Sequence, residues 1–216
     1  MSQALVDAVL FDYGGVLTVP PRVSLAAWQE QDGIDPRSFS AALKQWLSRD
    51  VDWVTPIHQL ETGEVSGAEF EALLAAELRT IDGRPIQVEG LLSRMFALMK
   101  PDEEMFALVE TLRRSGLKVG LLSNSWGNTY PRPRIDELFD PVVISSELGL
   151  RKPQAEIYQR ALDGLAVPAD RVLFVDDGEP NILGARRAGL RALLHTDPRS
   201  TTQALAAMVP GLLGPV

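Results

Sequence analysis

Three short apolar runs each end at a polar group, and this pattern limits the possible folds more than any other feature of the chain. Ala8-Val9-Leu10-Phe11 meets Asp12 and then Gly14-Gly15; Val119-Gly120-Leu121-Leu122 meets Ser123-Asn124; Val172-Leu173-Phe174-Val175 meets Asp176-Asp177. Val142–Ile144 and Ala192–Leu194 are two further runs of the same kind. Runs this short and this uniformly apolar suit strands buried on both faces, as in parallel sheets. Helix-like segments separate them, which argues for βαβ units. The carboxyl ends of such strands share one crevice. Asp12, Ser123, Asn124, Asp176 and Asp177 are therefore expected to meet there, with Lys152 brought in after the Gly149-Leu150-Arg151 turn.

The helices are read from apolar spacing. Phe106, Val109 and Leu112 mark one from Glu103 to Ser115, stopped by Gly116. Ile157, Tyr158, Ala161 and Leu162 mark another, ending near Gly164, and Ile182, Leu183, Ala185 and Ala188 a third, closed by Gly189. From about Val19 to Met99 no strand pattern occurs, and a structureless connection of that length is improbable. Helices are expected around Leu25–Trp28, Phe39–Leu47, Phe70–Leu78 and Leu91–Leu98, with Pro20-Pro21 and Lys100-Pro101 as hinges. The organisation is thus an α/β core of residues 1–18 and 100–216, interrupted by a helical cap over 19–99. The Ala-rich tail beyond Pro198 is assigned no role.

Composition narrows the function classes. Without cysteine, thiol nucleophiles, disulfides and thiolate metal sites are excluded. A net charge of -8 argues against nucleic acid as a partner. No apolar run reaches membrane-spanning length, and Met1-Ser2-Gln3-Ala4 lacks the basic region of a signal peptide. A cytoplasmic location is expected, as a monomer or as a homodimer through cap helices.

The strand-end groups are suited to moving a phosphoryl group through an aspartyl intermediate. Asp12 is either a turn-former or a nucleophile, and Gly14-Gly15 allows close backbone approach to an anion. Ser123-Asn124 either caps the next helix or meets phosphate oxygens. Lys152, one of four lysines against seventeen arginines, precedes Pro153, which fixes the local backbone and favours an aimed ammonium. Adjacent acids such as Asp176-Asp177 repel unless a cation or strong hydrogen-bond donors compensate. An oxygen-only site with few protein ligands suits Mg2+. Asn181 either orients one of these carboxylates or caps a helix.

With these residues placed, the chain resembles the haloacid dehalogenase-like hydrolase superfamily, in the phosphatase-type subgroup with a helical cap. FDYGGVLT resembles the first motif, LLSNS the second, GLRKPQAEIY the third and VLFVDDGEPN the fourth. The resemblance implies a Rossmann-like core with an inserted all-helical cap, and Mg2+-dependent hydrolysis of a small phosphorylated metabolite, a sugar phosphate among the options. It implies Asp12 as nucleophile, Ser123 and Asn124 on the phosphoryl group, and Lys152 as charge clamp. It also implies a metal held by Asp12, the Gly14 carbonyl and Asp177, with Asp176 as a further ligand or a water-orienting group.

One position departs from the pattern. The phosphatase motif carries a second Asp, a general acid/base, where this chain has Gly14. The expected consequence is a preference for leaving groups that need little protonation, such as anomeric sugar phosphates, acyl phosphates or aryl phosphates. Two other readings stand beside the phosphatase: 2-haloacid dehalogenase-type chemistry, and a catalytically impaired phosphometabolite- or partner-binding protein. Trp126 and Tyr130 are candidates for an apolar wall around the leaving group. Trp28, Trp46, Trp53, His58 and His195 are expected to be structural, and Arg22 a solvated hinge residue.

Overall fold

Five parallel strands carry the core. In the computed structural model, which describes residues 4–47, 54–127 and 130–212, β1 (Ala8–Phe11) is central and wholly buried. It pairs with β2 (Lys118–Ser123) on one side and β4 (Val172–Asp176) on the other. β3 (Val142–Ile144) and β5 (Arg191–Leu194) lie at the edges, giving the order β3-β2-β1-β4-β5. The chain lays down β1, β2 and β3 in one direction, then returns to the other side of β1, so the order reverses between β1 and β4. Ligands bind at such a reversal. Phe11 is level with Leu121 and Val175, so one residue later Asp12 comes level with Leu122 and Asp176.

Side chains alternate along the strands and feed two cores. Val9, Phe11, Leu121, Leu173 and Val175 pack beneath α6 (Glu103–Arg114) and α11 (Pro198–Met208). Ala8, Leu10, Leu122, Val172 and Phe174 pack beneath α9 (Ala155–Leu165) and α10 (Glu179–Arg187), and the short α7 (Arg132–Leu138) and α8 (Ser145–Leu148) precede and follow β3. In α6 the Asp102 side chain accepts from Glu104 and Met105 N–H at the N-cap, with acids in the first turn and arginines in the last. Both features favour the helix and complement its dipole. The Ala-rich tail is not inert. Asp197 caps α11, and Leu205, Val209 and Leu212 enter the first core.

The insert between β1 and α6 is helical, with a core of its own. It contains α1 (Pro21–Asp32), α2 (Pro36–Trp46), α3 (Pro56–Thr62), α4 (Gly67–Glu77) and α5 (Leu91–Met95). Asp35 and Thr55 accept backbone N–H groups at the starts of α2 and α3, and Ser66 with Glu69 forms a full capping box on α4. Trp28, Phe39, Trp46, Ile57, Phe70, Leu74 and Met95 fill the interior, with Trp28 edge-on to Phe39 at 5.3 Å. Two details differ from expectation: α3 was not foreseen, and α5 ends at Met95 rather than Leu98. Trp53 and Met1–Gln3 lie outside the described residues. The two connections to the core run side by side, with Thr18 bridged to Pro101 and Val19 N–H donating to Lys100 O at 2.9 Å. No helix among the described residues is long and apolar enough to cross a membrane.

Candidate active site

The strand ends deliver three carboxylates and one ammonium to a single point. Asp12 N–H donates to Val175 O at 2.9 Å, which fixes the first residue beyond β1 against β4. Lys152 Nζ lies 2.7 Å from Asp12 Oδ1 and 2.7 Å from Asp176 Oδ2. All three residues are buried, Lys152 to within 1% of complete. Burial alone would favour a neutral lysine, but the Asp12 and Asp176 charges outweigh it and hold the ammonium protonated. Burial pushes the Asp12 carboxyl up to about 7, opposed by Lys152 and reinforced by Asp176 and Asp177.

Asn124 has a task that was not foreseen. Its Oδ1 accepts Lys152 N–H at 2.8 Å and its Nδ2 donates to Lys152 O at 3.1 Å. The side-chain amide thereby grips the backbone of the lysine, so it aims the ammonium while still lining the cleft.

The adjacent acids Asp176 and Asp177 diverge. Asp176 Oδ1 accepts from Gly178 N–H and Asn181 Nδ2; Oδ2 accepts from Lys152 Nζ and the same amide. Four acceptances saturate its lone pairs. Asn181 therefore orients a carboxylate, which settles its two earlier alternatives. Asp177 projects outward to solvent, with no salt bridge among the described residues. Partial desolvation and the Asp176 charge raise its carboxyl. It reaches back over the β1 loop: a Cβ at Gly15, whose φ is +80°, would lie 2.3 Å from Asp177 Oδ2. Only glycine accommodates both that conformation and that contact.

Ser123 ends β2 fully buried, with its Oγ 3.0 Å from the Tyr130 hydroxyl. Burial holds the Tyr130 hydroxyl up to about 12, so it keeps its proton. With Tyr130 donating, the Ser123 hydroxyl hydrogen remains free for another acceptor. Tyr13 packs on Tyr130 at 4.8 Å between ring centroids.

Above the acids lies a cavity of about 240 Å3. Asp12, Gly14, Asn124, Lys152 and Asn181 form its floor, and Leu25, Phe39, Leu43, Phe96, Met99 and Trp126 most of its wall. Trp126 borders the cavity, whereas Tyr130 sits below, on Ser123. The expectations missed Glu61, a buried cap acid that also borders the cavity. Glu61 accepts Trp126 Nε1–H at 2.8 Å and pairs with Arg151 Nε, and its backbone carbonyl accepts from Ser145 Oγ. Ser145 Oγ in turn accepts Ser125 N–H at 2.8 Å. Only Arg151 carried a signal, through its place beside Lys152. Arg22 is exposed and outside the cavity lining, and His195 pairs with Thr201 at 2.8 Å in a structural role. His58 is half-buried on α3, and burial and the Arg151 charge lower the pKa of its imidazole.

Residues 6–189 match the model of the haloacid dehalogenase-like hydrolases. The chain belongs to that family. A phosphatase of Mycobacterium tuberculosis is 31% identical over 198 residues, 88% of this chain and 87% of its own. A HAD-like family hydrolase from Porphyromonas gingivalis superposes with a TM-score of 0.71 at 22% identity, covering 96% of this chain and 99% of the other. A HAD family enzyme from Bacteroides thetaiotaomicron, solved with magnesium and inorganic phosphate, gives a TM-score of 0.62 at 20% identity over 88% and 94%. At these identities the structural likenesses establish the fold: a haloacid dehalogenase-like α/β core with a helical cap.

Proposed function

We propose that this hydrolase cleaves small phosphorylated metabolites through a phospho-Asp12 intermediate, with Mg2+ as cofactor. One observation carries the reading. Asp12 and Asp176 share one ammonium and Asp177 lies beside them at the solvent edge, so the ionised site carries excess negative charge that a divalent cation would offset. The donors are all oxygen, and one oxygen from each of Asp12, Asp176 and Asp177 lies within 4.8 Å of the others. That set suits a hard cation that keeps several waters. Asp12, Asp177 and the Gly14 carbonyl would hold it; Asp176, already saturated, orients Lys152 and Asn181. Bound Mg2+ neutralises charge on the phosphoryl oxygens. The Mycobacterium phosphatase and the magnesium- and phosphate-bound Bacteroides enzyme support the same reading.

The residues divide the chemistry as follows. Asp12 attacks phosphorus, and the P–O bond to the leaving group breaks with its electron pair on the leaving oxygen. Water then attacks the phosphorus of the acyl phosphate and restores the carboxylate. Lys152 offsets charge on Asp12 and on the transferring group throughout. The Ser123 hydroxyl and nearby backbone N–H groups meet the phosphoryl oxygens. The cap excludes water from the first step.

Incubation with acetyl phosphate and Mg2+ is expected to add one phosphoryl mass to the peptide containing Asp12. Halide release from a 2-haloacid without any metal would instead place the attack at carbon. Metal binding has its own test. Mg2+ should raise the melting temperature of the wild type, and Asp177→Asn and Gly15→Ala should each weaken that shift. The first removes a charge, and the second displaces the Asp177 carboxylate. An undiminished shift in both would move the ion elsewhere.

The missing general acid can be supplied. A Cβ at Gly14 meets nothing within 4 Å, so the floor has room for a side chain there. Gly14→Asp is expected to raise kcat on simple alkyl phosphates by about tenfold or more, since general acid catalysis is typically worth about 10²–10⁴. Equal kcat values in a variant that still shifts with Mg2+ would refute that role for the position.

A further inference from the structure

Resting on that reading, we infer that the preferred substrates are aryl phosphate monoesters, with a flat apolar leaving group seated against the cap wall. The wall is built from Leu25, Leu43, Phe96, Met99 and Trp126, each half-buried and each bordering the cavity. Phe96 and Trp126 meet edge-on at 6.5 Å, which makes an aromatic corner for a ring to pack against.

What the wall lacks is as informative. Among the described residues its one charged side chain is Glu61, and both carboxylate oxygens are engaged, one by Trp126 and one by Arg151. Among the same residues no lysine or arginine borders the cavity apart from Lys152 on the floor. A second phosphate would find no counter-charge there. Sugar hydroxyls would lose water and gain no partner, and each stranded hydroxyl is expected to cost about tenfold in kcat/KM. A 150 Å3 apolar cavity is about enough for benzene, so about 240 Å3 admits one ring above the phosphoryl group.

Gly14 supplies the independent second observation. With no side chain to protonate it, the departing oxygen must be stable as an anion, and a phenol ionises near pH 10 whereas an alkanol does not. In the first step the Asp12 oxygen bonds to phosphorus and the aryloxide leaves with the electron pair. It takes its proton from solvent. Hydrolysis of the acyl phosphate then yields inorganic phosphate and the original carboxylate.

The test compares kcat/KM for 4-methylphenyl phosphate, phenyl phosphate, glucose 6-phosphate and ribose 5-phosphate in Mg2+, with acetyl phosphate as a donor that has no ring or sugar. The aryl esters are expected to exceed the sugar phosphates by about 10²-fold or more. Leu43→Asn and, separately, Met99→Asn should narrow that ratio at least severalfold. Phosphorylation of Asp12 by acetyl phosphate together with equal or better turnover of the sugar phosphates would overturn the aryl preference and leave the phosphatase reading standing. No phosphoenzyme and no turnover of any ester would overturn both.

Discussion

Asp12→Asn is expected to lower kcat by about 10⁴-fold or more, because among the described residues no other carboxylate is both free and aimed into the cavity. Asp176 is saturated and Asp177 lies outward, so neither substitutes. Losses on this scale accompany removal of a nucleophile in other covalent hydrolases. The fold should tolerate the change. Lys152 keeps Asp176 as its partner, and one of three mutually repelling charges disappears, so stability without metal is expected within about 1 kcal/mol of wild type. The pH dependence carries a further sign. Burial pushes the folded carboxyl up to about 7 from its ordinary value of 3.8. Stability from this group is thus full below about pH 4 and lost as pH rises through 7. In metal-free buffer the Asn variant should lack that decline. Turnover near wild type would show that the wrong nucleophile had been chosen.

Lys152→Met should damage the molecule as well as the reaction. It leaves Asp12 and Asp176 facing each other with no cation between them, and removing one partner of a buried ion pair costs about 3–5 kcal/mol. For a chain of this size that corresponds to a melting temperature lower by roughly 6–20 °C. Lys152→Met with Asp176→Asn should recover much of the loss, since the second change removes the stranded charge. Activity is expected to remain absent in both. Unfolding curves of the two variants, recorded in EDTA, decide the matter: equal midpoints for wild type and single variant would mean that the ammonium balances nothing.

The core was legible because its signals are local. An apolar run of four residues that stops at an acid identifies both a buried strand and the group at its mouth, and three such runs suffice for β1, β2 and β4. The different fates of Asp176 and Asp177 follow from strand alternation, which turns the first inward to Lys152 and the second outward. Other features depend on pairings between residues far apart in the chain. Asn124 meets Lys152 28 residues on, and Glu61 meets Arg151 90 residues on. Nothing near Glu61 in sequence distinguishes it from a solvated helix acid. α3 was missed because seven residues are too few for periodicity, leaving only the Thr55-Pro56 start. α11 was missed because alanines dilute its apolar face, and Leu205 contributes only once the sheet is present to receive it.

The Glu61 contacts also restrict recombination. Arg151 immediately precedes Lys152, and its partner Glu61 comes from the inserted helices. Gly63, two residues beyond Glu61, packs so closely that a Cβ would fall 2.7 Å from Ser146 O. A chimera that grafts foreign helices onto this sheet would inherit an orphaned guanidinium beside Lys152 unless the donor supplies an acid and a glycine at matching places. Shuffling libraries drawn from homologues should therefore yield active hybrids mainly where that acid, that glycine and Arg151 travel together.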